Sequence, residues 1–465
     1  MPSAAPQREH GLVRELSARQ LVMMALGGAI GTGLFLGSSL AVRQAGPSVV
    51  LTFVLGGVIT LAMLAALSEM AAAHPAAGSF GIYADLYLTP WAGFAVRYTY
   101  WIVCSIAIGS EAAAVAVYGQ WWFAEIPAWW WVVGCSILLI YVNARDVGTL
   151  GEFEYWFALI KVIAIAIFIV FGVAELAGLG RTASQGLSNF TARDGFFPHG
   201  ARGAWKALAF VIFGYIGTEV VAVGAGEARD PTRSVPKALR ATVSGLIMLY
   251  LGAIIVLIAL VPWHQIQPGR DVTASPFVTV FQRMGVPGAA SLVNFIVLTA
   301  ALSSMNSNLY VTTRMMFSLA RAGYAPGAFG RLSPRGTPLP ALSVSAFGLA
   351  LATVVAIFTP HTAYVLLFGT ALFGGLFVWI VILLTHFFFR RAWARQEAAG
   401  GPGLPVRVRG YPYLSALGLT LLVAITVTTW WVEGMRITLE AGLPWLAFIS
   451  LAYWVWRRRH ETGAL

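Results

Sequence analysis

Charge is the scarcest property of this chain. Only 49 of 465 residues are charged, 30 basic and 19 acidic, or 11%, whereas soluble domains carry roughly 25%. A water-facing surface for a chain of this length cannot be built from so few. That excludes a soluble enzyme, a disordered protein and a nucleic-acid-binding module. Lysine is rarer still, at 3 against 27 arginines. Cysteine is confined to Cys104 and Cys135, both inside apolar runs, so there is no disulfide framework and no metal-ligand spacing. The seven histidines are scattered, with no pair at i, i+4, and no metal or cofactor is called for. Residues 1–19 mix Arg8, Arg14 and Arg19 with Glu9 and Glu15 and lack a small-residue cleavage site. They read as a cytoplasmic tail and not as a signal peptide.

Apolar residues are abundant, at 58%. A membrane span needs about 20 of them in succession. Apolar runs fall at 21–42, 48–73, 92–120, 127–142, 155–178, 204–226, 238–262, 288–319, 339–359, 363–389, 413–432 and 442–457. The expected fold is therefore all-α and integral to the membrane, with twelve spans and both termini on one side. With the N-terminus inside, 21 basic residues fall on the inner side and 8 on the outer: Arg43, Arg181, Arg193, Arg202, Lys206, Arg270, Arg283 and Arg436. This asymmetry matches the positive-inside rule and predicts cytoplasmic termini, so the net charge of +11 reports orientation and not a nucleic-acid partner. Trp121, Trp122, Trp129 to Trp131, Trp430 and Trp431 read as interfacial anchors.

The first span contains Gly27-Gly-Ala-Ile-Gly-Thr-Gly33. Each glycine costs a helix interior roughly 0.5–1 kcal/mol relative to alanine. Close helix packing is one explanation; an unwound stretch facing a cavity is the other. The sixth span contains Phe213-Gly-Tyr-Ile-Gly-Thr-Glu219, so Ile30-Gly31-Thr32 recurs as Ile216-Gly217-Thr218. With five spans per repeat these are corresponding positions, entered from opposite sides. Paired interrupted helices in the two halves are the strongest sequence pointer to an inverted-repeat transporter site. Such a site suits an amino acid: amide groups at a helix end receive the carboxylate, and carbonyls released by the break receive the ammonium. Thr32 could add a hydroxyl to the carboxylate, or bond back to its own helix.

Ionisable groups within spans are costly and are functional candidates. Three stand out: Glu111, Lys161 and Glu219. Lys161 lies roughly 10–13 Å above the inner end of its helix at 1.5 Å per residue. It either snorkels inward toward Glu154 or, desolvated, takes and releases a proton near neutral pH. Glu111, near mid-membrane, could share that proton or be a neutral hydrogen-bonded core carboxyl. Glu219 follows the sixth-span break and could cap its amides or couple protonation to movement. Ser303, Ser304, Asn306 and Ser307 suit interhelical hydrogen bonding as well as a pathway.

At these motifs the chain resembles the amino acid–polyamine–organocation superfamily, and within it the bacterial permeases of the aromatic, proline and GABA type. The resemblance runs from Leu16 to the C-terminal tail. It is carried by Ala25-Leu-Gly-Gly-Ala-Ile-Gly-Thr-Gly-Leu-Phe35, Glu69, Pro75-Ala-Ala-Gly-Ser-Phe80, Glu152-Phe-Glu-Tyr-Trp-Phe-Ala-Leu-Ile-Lys-Val162, Glu227-Ala-Arg-Asp-Pro-Thr-Arg-Ser-Val-Pro-Lys-Ala238 and Leu298-Thr-Ala-Ala-Leu-Ser-Ser-Met-Asn-Ser307. It implies a five-plus-five inverted repeat with broken helices 1 and 6 and two further helices. The expected layout is a tail at 1–20, repeats at 21–178 and 204–389, a cytoplasmic linker at 390–412, two helices at 413–457 and a tail at 458–465. It implies uptake of an amino acid with a proton across the bacterial inner membrane. Backbone groups around Ala29, Ile30, Gly31, Thr32 and Gly33 would hold the head group, the Ile216 carbonyl at Ile216-Gly217 the ammonium, and the Phe213 ring would cover the substrate. Related permeases place a lysine at the position of Lys161, where sodium-coupled relatives bind sodium. Many relatives have Gly-Gly where this chain has Ile216-Gly217, so its pocket floor is expected to differ.

The reading is then a proton-coupled symporter of an amino acid, more suited to a neutral than a cationic one, since the pocket motifs add no acid beyond Glu111 and Glu219. An exchanger and a sodium symporter of the same fold are the alternatives; a resident ammonium would repel sodium. A membrane enzyme would need clustered catalytic groups, and the apolar spans hold no histidine apart from His386, near a helix end. A receptor would usually carry a soluble signalling domain. A monomer suffices for every feature.

Overall fold

A computed structural model describes residues 9, 11–31, 33–179, 187–266, 275–283, 285–358 and 363–462. Among them the chain is helical throughout, with one isolated bridge between Leu16 and Ala228 in place of any strand. The α-helices in chain order are α1 Ala18–Ala29, α2 Ser38–Ala45, α3 Val49–Ala73, α4 Ser79–Tyr87, α5 Pro90–Gln120, α6 Ala128–Ala144, α7 Val147–Leu176, α8 Gly200–Phe213, α9 Val220–Val223, α10 Pro231–Leu260, α11 Pro276–Arg283, α12 Ala289–Arg321, α13 Leu339–Phe358, α14 Ala363–Ala398, α15 Tyr413–Thr428 and α16 Ile437–Thr462. Eight described helical segments are long and apolar enough to cross a membrane. In a bilayer every backbone polar group must be satisfied internally, which is why the spans are helices.

Helix starts follow local chemistry. Ser17 and Gln20 form a reciprocal capping box at α1. Thr89 caps α5 with Pro90 in its first turn, Asp146 caps α7, and Asp230 caps α10 with Pro231 behind it. The first and sixth spans are interrupted. The first leaves α-helical geometry at Ile30 (φ −83°, ψ 75°) and resumes through a π-helical turn, Gly33–Gly37, into α2. The sixth stops at Phe213, runs through turns over 214–219 and resumes as α9. α1 and α8, with 12 and 14 residues, are each too short to cross a membrane alone.

α1 lies among α7, α10 and α12, while α12 runs along α5 and α10 along α3. Two short helices, α4 and α11, are absent from the sequence expectation because nine and eight residues are too few to register as a span. α14 runs on to Ala398, so the first part of the expected linker is helical. The expected N-terminal tail is packed at some of its described residues and exposed at others, such as Val13, Arg14 and Arg19. Leu16 is fully buried; its N–H donates to the Glu227 carbonyl (2.9 Å) and its carbonyl accepts from Arg229 N–H (3.0 Å). Glu9 accepts from Gly78 N–H at 3.0 Å.

Candidate functional site

The two breaks meet backbone to backbone. A Cβ on Gly217 would lie 2.7 Å from both the C and O atoms of Gly28, and one on Gly28 would lie 3.2 Å from the Gly217 carbonyl oxygen. Gly217 has φ +106°, a left-handed conformation that glycine alone adopts readily. The glycines of the first break also admit carboxylates. A Cβ on Gly27 would lie 2.1 Å from Glu154 Oε1, and one on Gly31 would lie 2.9 Å from Glu111 Oε1. Unwinding and close packing, alternatives on sequence grounds, are both present.

Beside this crossing lies a cavity of about 60 Å³, room for several waters. Ala29, Gly31 and Gly33 line it from the first break, and Phe213, Ile216 and Gly217 from the sixth. Tyr100 and Glu111 of α5 and Ser304 and Asn308 of α12 add the polar wall. Thr32 lies outside the described residues. Ile30 is buried and does not line the cavity; its carbonyl faces Lys161.

Lys161 is completely buried. Its ammonium donates to the carbonyls of Gly27 (2.7 Å) and Ile30 (2.9 Å). The snorkelling alternative is thereby corrected. The stem turns toward the first break, whose unwinding exposes carbonyl acceptors inside the protein, and so has no need to reach the inner surface. Glu154 and Glu111 are the acidic groups near it. Glu154 is itself fully buried. It accepts from Ser303 Oγ and, at 2.8 Å, from Asn306 Nδ2, whose own Oδ1 accepts from Asn143 Nδ2 at 2.8 Å. The sequence reading missed Glu154 as a member of the site, although it precedes Lys161 by two helical turns and so shares its face.

Glu219 sits behind the sixth break, away from the cavity wall. It accepts from Gly217 N–H (3.0 Å), Tyr100 Oη (2.5 Å) and Trp379 Nε1 (3.1 Å). Tyr250 Oη reaches a carbonyl of each break, Ala29 at 3.0 Å and Gly214 at 2.8 Å; nothing in the local sequence of α10 marks it. Below α9, Glu227 holds Arg314 (3.0 and 2.9 Å) and Tyr310 (2.6 Å) in a buried cluster. Glu69 on α3 binds His386 and Arg390 of α14 (2.8 and 2.6 Å). Deep charge is thus more extensive than the three groups the sequence singled out, because partners distant in the chain neutralise it.

A multi-pass helical membrane protein, with two interrupted helices crossing at glycines beside a small cavity that carries a few polar groups, has the construction of a transporter. The chain belongs to the amino acid permease family, whose profile matches residues 20–462. It is 37% identical over 454 residues to the gamma-aminobutyric acid permease of Bacillus subtilis, covering 97% of this chain and 95% of that protein. It is 36% identical over 451 residues to the aromatic amino acid transport protein AroP of Escherichia coli, covering 96% of each. It is 34% identical over 455 residues to the probable threonine/serine transporter YbxG of Bacillus subtilis, covering 97% of each. These relatives are named as transporters, so the chain is a membrane protein of amino acid transport and not an enzyme.

Proposed function

We propose that the chain takes up a neutral amino acid together with a proton across the bacterial inner membrane. In this reading twelve spans form a five-plus-five inverted repeat with two added helices and cytoplasmic termini. The observation that carries the proton is the Lys161 ammonium on the Gly27 and Ile30 carbonyls. Protonated, it supplies two charge-assisted hydrogen bonds that hold α7 to the first break. Deprotonated, it loses the charge and one donor, and the inner half of that span is released. The ion that bridges α7 and the first break is then covalently part of the protein, and a proton takes the place of sodium.

The substrate reading rests on the cavity. Its lining holds one acidic side chain, Glu111, and no basic one, and Lys161 lies just behind the break. A zwitterion is matched by backbone groups, and a net charge on the side chain is not. Ala29 to Gly33 with Thr32 would hold the carboxylate, and Phe213 and Ile216 would cover the side chain. No described donor reaches the Ile216 carbonyl, which suits it to the ammonium. Glu219 fixes the sixth break in shape, and Glu111 shares the local field of Lys161.

Uptake into proteoliposomes free of internal substrate, driven by an imposed pH gradient, tests this. Accumulation that follows the pH gradient is expected. Uptake that ignores it and needs internal amino acid makes the protein an exchanger; uptake that follows a sodium gradient makes it a sodium symporter.

A further inference from the structure

A second cavity, of about 440 Å³, lies between the end of α2 and the start of α8 and shares no lining residue with the central one. Arg43, Arg202, Lys206 and His199 converge on it, with Gln44, Gly203 and Trp263, and no acidic side chain lines it. The two arginines are exposed and Lys206 is half-buried. None of the three cations pairs with an acidic side chain among the described residues.

Two features separate this cluster from an ordinary solvated face. First, Arg202 and Lys206 stand in the first two turns of α8, the positive end of the helix dipole, where cations are disfavoured and anions favoured. The helix cap, His199, makes no side-chain hydrogen bond to the first turn; its Nδ1 lies 3.1 Å from the Gln44 carbonyl. Second, the indole Nε1 of Trp263, on the cavity wall, is buried with no partner among the described residues. A neutral N–H donor, three cations and an uncapped helix start all seek the same thing, an oxyanion.

We propose that this cavity binds a phosphate-type anion, supplied either as the headgroup of an anionic phospholipid or as free phosphate. Arg43 and Arg202 give the forked donors that match phosphate oxygens, Lys206 adds a point charge, and Trp263 forms the wall beside them. The anion spans α2 and α8, the halves of the two interrupted helices on the side away from the N-terminal segment. Its occupancy therefore ties those two halves together.

The test uses the purified full-length protein in detergent, with thermal unfolding and native mass spectrometry as readouts. The probes are dioleoyl-phosphatidylglycerol, dioleoyl-phosphatidylcholine, and inorganic phosphate against chloride at equal ionic strength. Phosphatidylglycerol is expected to bind about tenfold or more tightly than phosphatidylcholine and to raise the melting temperature. R202Q and K206Q are each expected to weaken it about tenfold, and R43Q/R202Q/K206Q to abolish the preference. Stabilisation by phosphate as well would make the source a soluble anion; stabilisation by phosphatidylglycerol alone would make it the lipid. The single variants carry the test if the triple variant does not fold. Three results would overturn the proposal: no preference for either anion in the native protein, an undiminished preference in the single variants, or an equal loss in R391Q/R395Q/R409Q, which removes exposed charge from the α14 end and the loop after it.

Discussion

Gly217→Ala is the most demanding test of the crossing between the two interrupted helices. Two costs add. Alanine at φ +106° is held in a sparsely populated conformation, at about 1–3 kcal/mol. Its methyl would also lie 2.7 Å from the C and O atoms of Gly28 and 3.1 Å from Ala29 N. These are backbone atoms that cannot rotate away, so the two breaks must separate, and overpacking of this kind costs about 1–3 kcal/mol. The sum, about 2–6 kcal/mol, is a large part of the stability of a typical domain. Gly28→Ala is the internal control. Gly28 is not among the positive-φ glycines, and its added methyl would meet the Gly217 carbonyl oxygen at 3.2 Å and Val220 Cγ2 at 3.5 Å. A cost of about 1 kcal/mol follows from overpacking alone. Thermal unfolding in one detergent should rank native above Gly28→Ala above Gly217→Ala. Uptake should fall in the same order, since the displaced backbone lines the cavity. The double variant should cost less than the two single costs combined, because one separation relieves both clashes. A Gly217→Ala protein that melts and transports like the native one would refute the tight crossing.

Lys161→Ala should abolish gradient-driven accumulation in proteoliposomes while leaving some substrate binding or exchange; undiminished accumulation would remove Lys161 from the coupling step. Glu227→Ala leaves the buried Arg314 guanidinium without its carboxylate, a loss expected to cost about 3–5 kcal/mol. Unfolding should show it, and Glu227→Ala/Arg314→Met should recover part of it. His74, in the loop after α3, is packed against Tyr87, Phe389 and Trp393, and burial pushes it from 6.5 down to about 4. The unfolded chain therefore binds this proton first. Stability should fall as pH drops from about 6.5 toward 4, by about 3 kcal/mol at most, and His74→Gln should flatten that part of the melting-temperature profile.

The helical membrane character was legible because it is carried by bulk scarcity of charge and by unbroken apolar length. The breaks were legible because Ile-Gly-Thr recurs amid glycines in the first and sixth spans, which favoured unwinding over close packing alone. Lys161 was legible as an anomaly, and Glu154 and Glu111 were named as groups it could meet, but the Gly27 and Ile30 carbonyls that hold it were not. The apolar run was read as starting at Tyr155, which left Glu154 outside, although the seven-residue spacing to Lys161 puts both on one face. Glu227 with Arg314, and Glu69 with His386 and Arg390, join residues far apart in the chain. No local periodicity encodes such a pair, and only the packing of α12 under α9 and of α14 against α3 creates it. Tyr250 is likewise one polar tip in an apolar helix, distinguished only by the carbonyls that happen to face it.

Following the carbonyls through the breaks narrows what a substrate can use. On the first break, Gly27 and Ile30 carbonyls accept from Lys161 and the Ala29 carbonyl accepts from Tyr250 or from Gly31 N–H. Across from it, the Gly214 carbonyl competes for the same Tyr250 hydroxyl, which has a single hydrogen to give. Three of the carbonyls at the first break, those of Gly27, Ala29 and Ile30, are therefore already engaged by the protein's own groups. An incoming ammonium placed there would have to displace a lysine of the same charge. The sixth break is different: its amide at Gly217 is held by Glu219, and the Ile216 carbonyl beside the cavity is left to accept. In the reading proposed here the two breaks accordingly divide the zwitterion. The first offers amides to the carboxylate while its carbonyls answer to the proton on Lys161, and the sixth offers the carbonyl for the ammonium. Substrate and proton then act on opposite polarities of one helix interruption, and this is how a single broken helix can respond to both.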